Sequence, residues 1–282
     1  WLDASNIDYS FNSTLSDGDA ITEWKDLSGK YDLTGSATYR SSGLNSKHTI
    51  EFGSSWLSSD TFDAGTNQTV FVVFQMPAAH SWGYVVGHGS RDTDWALRRY
   101  GSDTSKFALE GPASGHGQLS VDVALDVPQL ALGKMDGNNP WELQTYSSTH
   151  GFQNASYDHS DYDGVNDVFK LGAINSGGGD NSNAKISEVI YFNKTLDESE
   201  ITKIKYYLSK KWGLEASVDS DGDGYSDNTE EAAGSSPIDQ SDAPYVDLSD
   251  TVDTQIGESS GLDAIESNIR LWLDVTNIDA LS

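Results

Sequence analysis

Up to about residue 193 the chain is a succession of short β-branched and aromatic runs, each cut off by Gly, Asp, Asn or Ser. That rhythm points to β-sheet and against long helices. Thr69-Val-Phe-Val-Val-Phe-Gln75 is apolar in both alternating sets, which predicts a strand covered on both faces. Trp82-Gly-Tyr-Val-Val-Gly87, Trp95-Ala-Leu-Arg98, Lys106-Phe-Ala-Leu109, Val121-Asp-Val-Ala-Leu125 and Asp167-Val-Phe-Lys-Leu171 read as further strands. Lys185-Ile-Ser-Glu-Val-Ile-Tyr-Phe192 alternates, and predicts a core strand with one solvated face. Many short strands separated by turn residues predict an all-β sandwich.

One segment departs from this pattern. Asp197 followed by Glu200 resembles a capping box, and Ile201, Ile204, Leu208 and Trp212 recur at helical spacing. Lys210 and Lys211 suit the negative end of the helix dipole, and Gly213 supplies a left-handed stop. A single C-terminal helix over 197–212 is expected, with its Ile/Leu/Trp stripe laid on the sandwich as core.

The opening octapeptide returns at the far end. Trp1-Leu-Asp-Ala-Ser-Asn-Ile-Asp8 and Trp272-Leu-Asp-Val-Thr-Asn-Ile-Asp279 agree at six of eight positions, a period of 271 residues (279 − 8). This is expected of one unit in a tandem array whose next unit begins before residue 282. Arg270-Leu271-Trp272-Leu273-Asp274 then reads as the first strand of that next unit. Its partners would be neighbouring copies of the same repeat, in cis by covalent continuation or in trans by strand donation to another molecule's sheet.

Charge separates the chain into chemically different parts. The formal charge is −27. Residues 216–282 hold 16 acids and one base, Arg270, whereas residues 1–215 hold 28 acids and 16 bases. The first part thus carries −12 and the much shorter second part −15. Nucleic acid is an unsuitable partner for such a chain, because phosphate repulsion is unopposed without a basic patch. No apolar run approaches the roughly 20 residues of a membrane span. With no cysteine, disulfides and thiolate metal sites are excluded. Dense acid suits salty surroundings or divalent cations.

The strongest chemical motif is Asp219-Ser-Asp221-Gly-Asp223-Gly224-Tyr225-Ser-Asp227-Asn-Thr-Glu230. Counting from Asp219, oxygen donors fall at positions 1, 3, 5, 9 and 12, glycine at 6, and the Tyr225 carbonyl at 7, which is the ligand pattern of an EF-hand loop. Gly224 permits the turn and a bidentate Glu230 would close the far side of a calcium ion. The flanks do not suit a paired sensor: the preceding helix stops at Gly213, and after at most one turn the sequence downstream is loop-like.

Three resemblances add to these readings. Ile186-Ser-Glu-Val-Ile-Tyr-Phe-Asn-Lys-Thr-Leu196, the acidic helix start and Tyr207-Leu-Ser-Lys-Lys-Trp-Gly-Leu214 resemble the end of bacterial concanavalin A-like lectin/laminin G-like domains. Trp1-Leu-Asp with Asn6-Ile-Asp8, and Ile21-Thr-Glu-Trp-Lys-Asp-Leu-Ser28, resemble the same family's start. The resemblance covers roughly residues 1–215 and implies a jelly-roll sandwich of two antiparallel sheets, of the kind found in secreted or surface proteins. The loop itself resembles a thrombospondin type 3 calcium repeat, with its Asp-x-Asp-Gly-Asp-Gly-x-x-Asp core followed by Glu and Gly-x-x-Pro. That family's trailing acids help bind further ions, which makes Asp239 and Asp242 second-rank ligands.

The expected organisation is therefore a laminin G-like sandwich over 1–215, an acidic calcium-binding linker over 216–250, and a connector with the next unit's first strand over 251–282. A non-enzymatic, calcium-rigidified structural or adhesive repeat of a large bacterial surface or filament protein is the leading functional expectation, placed outside the cell or on its surface. A carbohydrate-binding adhesin module is the alternative. For it, Trp82, Trp95, Trp141 and Tyr146 are candidate sugar platforms, and Asp161, Asp163, Asp180, Asn181 and Asn183 candidate polar contacts. Trp in such a sequence is more often core, and Asp/Asn more often turn. A glycoside hydrolase is the remote third reading: no Glu-x-Asp-x-x-Glu signature is present, and Glu188 has no nearby acid at strand spacing.

Overall fold

The computed structural model describes residues 1–77, 83–89, 94–100, 103–111, 118–158, 164, 166–173 and 183–244. The predicted strand Trp95–Arg98 lies within those ranges and Trp82–Gly87 does so from Gly83 onward, while the connector and second octapeptide copy at 251–282 lie outside them.

Among the described residues the chain is all-β and antiparallel, with two helices. The first strands are β1 (Leu2–Asp3), β2 (Ala20–Trp24), β3 (Leu33–Leu44), β4 (Lys47–Glu51) and β5 (Leu57–Asp63). Then come β6 (Gln68–Gln75), β7 (Tyr84–His88), β8 (Ala96–Arg99), β9 (Lys106–Glu110) and β10 (Gln118–Asp122). The last are β11 (Pro128–Met135), β12 (Trp141–Ser147), β13 (Gly151–Tyr157), β14 (Asn166–Leu171) and β15 (Lys185–Phe192). The helices α1 (Glu198–Trp212) and α2 (Asp227–Ala233) follow.

The strands hydrogen-bond as one continuous path, β10-β9-β8-β7-β14-β5-β3-β4-β15-β6-β11-β12-β13, with β1 added to β15 and β2 to β3. Two separate sheets were expected, and the path is unbroken because β3 serves both layers. Its early residues Thr34 and Gly35 pair with Ser58 and Leu57 of β5, while Thr38, Tyr39 and Arg40 pair with Glu51, Ile50 and Thr49 of β4. A strand that changes layer needs a bend. Gly35 supplies it at φ 150°, where a Cβ would collide with the Trp56 carbonyl.

Beyond this corner the two halves stack. Phe74 of β6 lies on Phe107 of β9 with ring centroids 5.1 Å apart, and Trp95 donates its indole N–H to Gln68 Oε1 at 2.6 Å. At the far ends the path nearly meets itself, the Asp122 amide donating to Gln153 Oε1 at 2.8 Å. The core between the layers is filled by Trp24, Trp95, Trp141, Phe52, Phe71, Phe74 and Phe107, all fully buried. As its sequence predicts, β6 is buried on both faces.

One expectation is corrected in β15. It has no open face in its central part, where Ser187 and Glu188 are fully buried. The covering elements are β1, paired through Leu2 with Val189 and Asp3 with Glu188, and α1. Glu188 accepts hydrogen bonds from the Trp212 indole (2.6 Å), the Trp1 indole (2.7 Å) and the Tyr207 hydroxyl (3.0 Å). Lys211 completes the set, bridging Glu188 at 2.7 Å and Asp3 at 2.6 Å.

α1 begins and ends where its sequence dictates. Asp197 and Glu200 form the reciprocal capping box, and Gly213 closes the helix in the left-handed conformation. Ile201, Leu208 and Trp212 face the core, and so do Lys205 and Ser209. Those two polar residues place the candidate site.

Candidate metal centre

The acidic loop is anchored before it begins. Leu214 and Val218 are buried in the sandwich core, and Asn45 donates to the carbonyls of Trp212 (2.9 Å) and Gly213 (2.8 Å). Across the base of the loop the Asp227 amide donates to the Val218 carbonyl at 2.8 Å, and the Asn228 amide to the Glu215 carbonyl at 3.0 Å. The segment after α1 is therefore folded onto the sandwich, and Trp1–Ala243 form one compact unit.

Within the loop each leading aspartate turns the backbone. Asp219 accepts from the amides of Gly222 (2.6 Å) and Gly224 (2.9 Å), Asp221 from Asp223 (3.2 Å), and Asp223 from Tyr225 (2.8 Å). Gly224 has φ 102°, a conformation that favours glycine. These turns bring one carboxylate oxygen from each of Asp219, Asp221 and Asp223 within 4.8 Å of one another. Then α2, which the sequence suggested as no more than one turn, runs for seven residues. It carries Glu230 in its first turns, fully buried.

Four oxygens of this cluster are buried and have no hydrogen-bond partner: Asp221 Oδ2, Asp223 Oδ2, and both Oε1 and Oε2 of Glu230. Buried polar atoms are almost always paired, because an orphaned one costs about 1–3 kcal/mol and an ionised one more. Burial pushes the Glu230 carboxyl up to about 8, and the neighbouring Asp221, Asp223, Asp227 and Asp219 reinforce it. Asp221 is likewise raised by burial and by Asp223 and Asp219. An all-oxygen set with too much negative charge and too few donors fits a hard divalent cation such as calcium, which takes six to eight oxygens.

The predicted ligands thus fall into two groups. Asp219, Asp221, Asp223 and Glu230 have oxygens that could hold an ion, with Tyr225 on the same loop. Asp227 is differently employed: its carboxylate accepts from the Ser220 amide (2.9 Å), the Ser220 hydroxyl (2.9 Å) and the Ser209 hydroxyl of α1. Burial raises it to about 6, against the pull of those serine hydrogen bonds. Asp239 and Asp242 are exposed. Asp239 accepts from the Ser241 amide (3.1 Å) and hydroxyl (2.6 Å), and Asp242 from the Ser236 amide (3.1 Å). Their turn touches the loop through Gln240, which donates to the Gly222 carbonyl at 3.2 Å.

The supporting residues escaped the sequence reading. Lys205 donates to the Tyr146 hydroxyl of β12 (3.0 Å) and the Asp219 carbonyl (3.3 Å). Burial lowers its pKa while the surrounding acids oppose that shift. Tyr206 (2.8 Å) and Lys210 (2.7 Å) both hold Glu231 of α2. The available signal was a Lys and a Ser at i, i+4 on the apolar side of a helix that leads into an acidic loop.

The aromatic sugar candidates sit elsewhere. Trp95 and Trp141 are fully buried and Tyr146 nearly so; Trp141 shares a face of β12 with Leu143, whereas Tyr146 lies on the other face beneath Lys205 of α1. Trp82, Asp161, Asp163, Asp180 and Asn181 lie outside the described residues, as do Leu271, Trp272, Leu273 and Asp274.

No family model and no curated protein matches the chain. Among solved structures it is similar in fold to the binding domain of botulinum neurotoxin serotype G (TM-score 0.49, 10% identity, 66% of this chain and 50% of that one). It is also similar to the binding domain of Paraclostridial Mosquitocidal Protein 1 (TM-score 0.48, 12% identity, 68% and 52%). A third is domain 4 of AbnA, a GH43 extracellular arabinanase from Geobacillus stearothermophilus, in complex with arabinotriose (TM-score 0.47, 13% identity, 67% and 99%). The chain spans about half the length of the first two.

Proposed function

We propose that this chain is a non-enzymatic, extracellular structural or adhesive repeat unit of a large bacterial surface or filament protein, stiffened by calcium at Asp219–Glu230. The observation that carries this reading is the Glu230 carboxylate, fully buried with both oxygens orphaned beside Asp221 and Asp223. Asp219, Asp221, Asp223, Glu230 and the Tyr225 carbonyl would hold the ion. Bound calcium supplies positive charge that neutralises the acids and ties the start of the loop to α2. No substrate need be turned over: the product is a fixed angle and a protease-resistant joint between successive sandwiches.

The repeat in the sequence supports the same reading. In the first copy Trp1, Leu2 and Asp3 are the residues that engage Glu188, Val189 and Lys211. The copy at Trp272, Leu273 and Asp274 carries the same groups, suited to a following unit's equivalent of β15 and α1.

Calorimetric titration of the full chain with calcium tests the proposal. Uptake of at least one ion, weakened at least tenfold by Asp221→Ala and by Glu230→Ala, is expected. Absence of uptake at millimolar calcium, or unchanged cleavage of the 216–243 segment with and without chelator, would refute it.

A further inference from the structure

At the joint of β1, β15 and α1 an amine meets two carboxyl groups. Lys211 Nζ stands 2.6 Å from Asp3 Oδ2 and 2.7 Å from Glu188 Oε2. Strand register sets Asp3 directly opposite Glu188, and direct partners project to the same side of a sheet. Lys211 arrives from the last turn of α1, held there by the buried Trp212 beside it. Glu188 is fully buried and Asp3 nearly so. The rings of Trp212 and Tyr207 lie 5.1 Å and 5.3 Å from the ammonium, and Trp1 packs edge-on against Tyr207. Aromatic rings thus screen the cluster from water.

The two oxygens of Asp3 have different surroundings. Oδ1 accepts from the Ser5 amide (2.8 Å) and the Ser5 hydroxyl (2.7 Å), whereas Oδ2 faces the amine. Paired donors on Oδ1 stabilise the negative charge that collects there when a nucleophile adds to Cγ. Oδ2 is then the oxygen placed to leave.

Glu188 is equipped to carry the protons. Burial pushes its carboxyl up, with Lys211 pulling the other way. Burial also works against the charge on Lys211, although Glu188 and Asp3 hold its pKa above the ordinary lysine value. Passing a proton from Lys211 to Glu188 removes two buried charges at once and leaves a neutral, nucleophilic amine.

The geometry points to an intramolecular amide bond between Lys211 Nζ and Asp3 Cγ, formed by the protein on itself with Glu188 as proton carrier. The Nζ–Cγ bond forms and the Cγ–Oδ2 bond breaks. Two protons pass from Nζ through Glu188 to Oδ2, which departs as water, and Glu188 ends as it began. Nothing is oxidised or reduced and no co-reactant is needed. Free amines and acids do not condense readily in water, but groups held in contact gain an effective concentration of roughly 10⁵–10⁸ M. The link would join residues 208 positions apart. A pull between β1 and α1 would then be carried by a covalent bond, where β1 alone offers a strand of two residues. This inference stands apart from calcium binding and from the function proposed above.

Intact-mass spectrometry of the denatured full chain, after incubation at neutral pH, tests it. The wild type should be lighter than its sequence by one water, and digestion should release a branched peptide joining Asp3 to Lys211. Lys211→Arg keeps the positive charge but removes the nucleophile, and should have its full mass. Glu188→Gln, with its fold checked by tryptophan fluorescence, should slow the loss of water by roughly a hundredfold. A wild-type chain that keeps its full sequence mass overturns the proposal, as does a linked peptide at any other pair of residues. Loss of water that persists in Lys211→Arg also overturns it, and a Glu188→Gln chain that links as fast as wild type overturns the assignment of Glu188.

Discussion

Glu230 shows how one residue can make a fold conditional. Its carboxyl is raised from the ordinary 4.5 to about 8 in the metal-free protein, first by burial and then by the surrounding aspartates. An acid whose folded pKa is raised contributes stability that is complete below its unfolded pKa and is lost as pH rises through its folded value. Chelated protein should therefore lose stability between about pH 4.5 and pH 8, by up to about 1.4 kcal/mol per pH unit for this group. Thermal melts in chelator across that range check the direction. Glu230→Gln should flatten the profile and raise the metal-free melting temperature at pH 8, while weakening calcium. A profile that climbs with pH in chelator would remove the electrostatic basis of the site. The spacing of the loop acids was legible because it is written in nearby residues. The diversion of Asp227 to Ser209 was not, because Ser209 lies 18 residues away on another element.

At the scale of elements, α1 was readable almost completely. Its cap, apolar stripe and glycine stop are local features, and local hydrogen bonding enforces them. Removing the cap with Asp197→Ala should cost about 1 kcal/mol, since one orphan amide loses its partner; urea denaturation measures it. What the sequence could not show is that α1 has two faces in use. Lys210 and Lys211 look like favourable charges at a helix end, yet Lys210 ties down Glu231 and Lys211 bridges Asp3 and Glu188. Glu188 likewise looks like the solvent-facing member of an alternating strand. Buried with four donors, it is the polar joint of β1, β15 and α1. Glu188→Ala should destabilise the fold by about 1–3 kcal/mol, because the buried Trp212 indole N–H loses its acceptor while Lys211 keeps Asp3.

For the molecule as a whole, the loop and the sandwich should unfold together. Leu214 and Val218 are core residues, Ser209 holds Asp227, and Lys205 joins β12 to Asp219. Calcium bound to the native state at a hundred times its Kd adds about 2.7 kcal/mol to unfolding. That increment should appear in the tryptophan fluorescence melt, since Trp24, Trp95, Trp141 and Trp212 report the sandwich and its helix. A fluorescence melt indifferent to calcium, alongside clear calorimetric binding, would mean that the loop orders independently of the sheets.

The sequence by itself located β6, β7, β8, β9, β14 and β15, misplaced β10 by about three residues, and determined where the helix starts and stops and that oxygen-bearing residues recur at the spacing of a calcium loop. These readings depend on residues close together in the chain, where backbone periodicity and capping act. Tertiary structure alone decided that β3 joins the two layers, that Trp95, Trp141 and Tyr146 are buried, that Glu188 is buried, and that Thr38, Glu51, Lys185 and Gln75 align. Each of those depends on strand register and on which element covers which face. Sheet hydrogen bonds and packing couple residues more than a hundred positions apart, and no local pattern encodes that pairing.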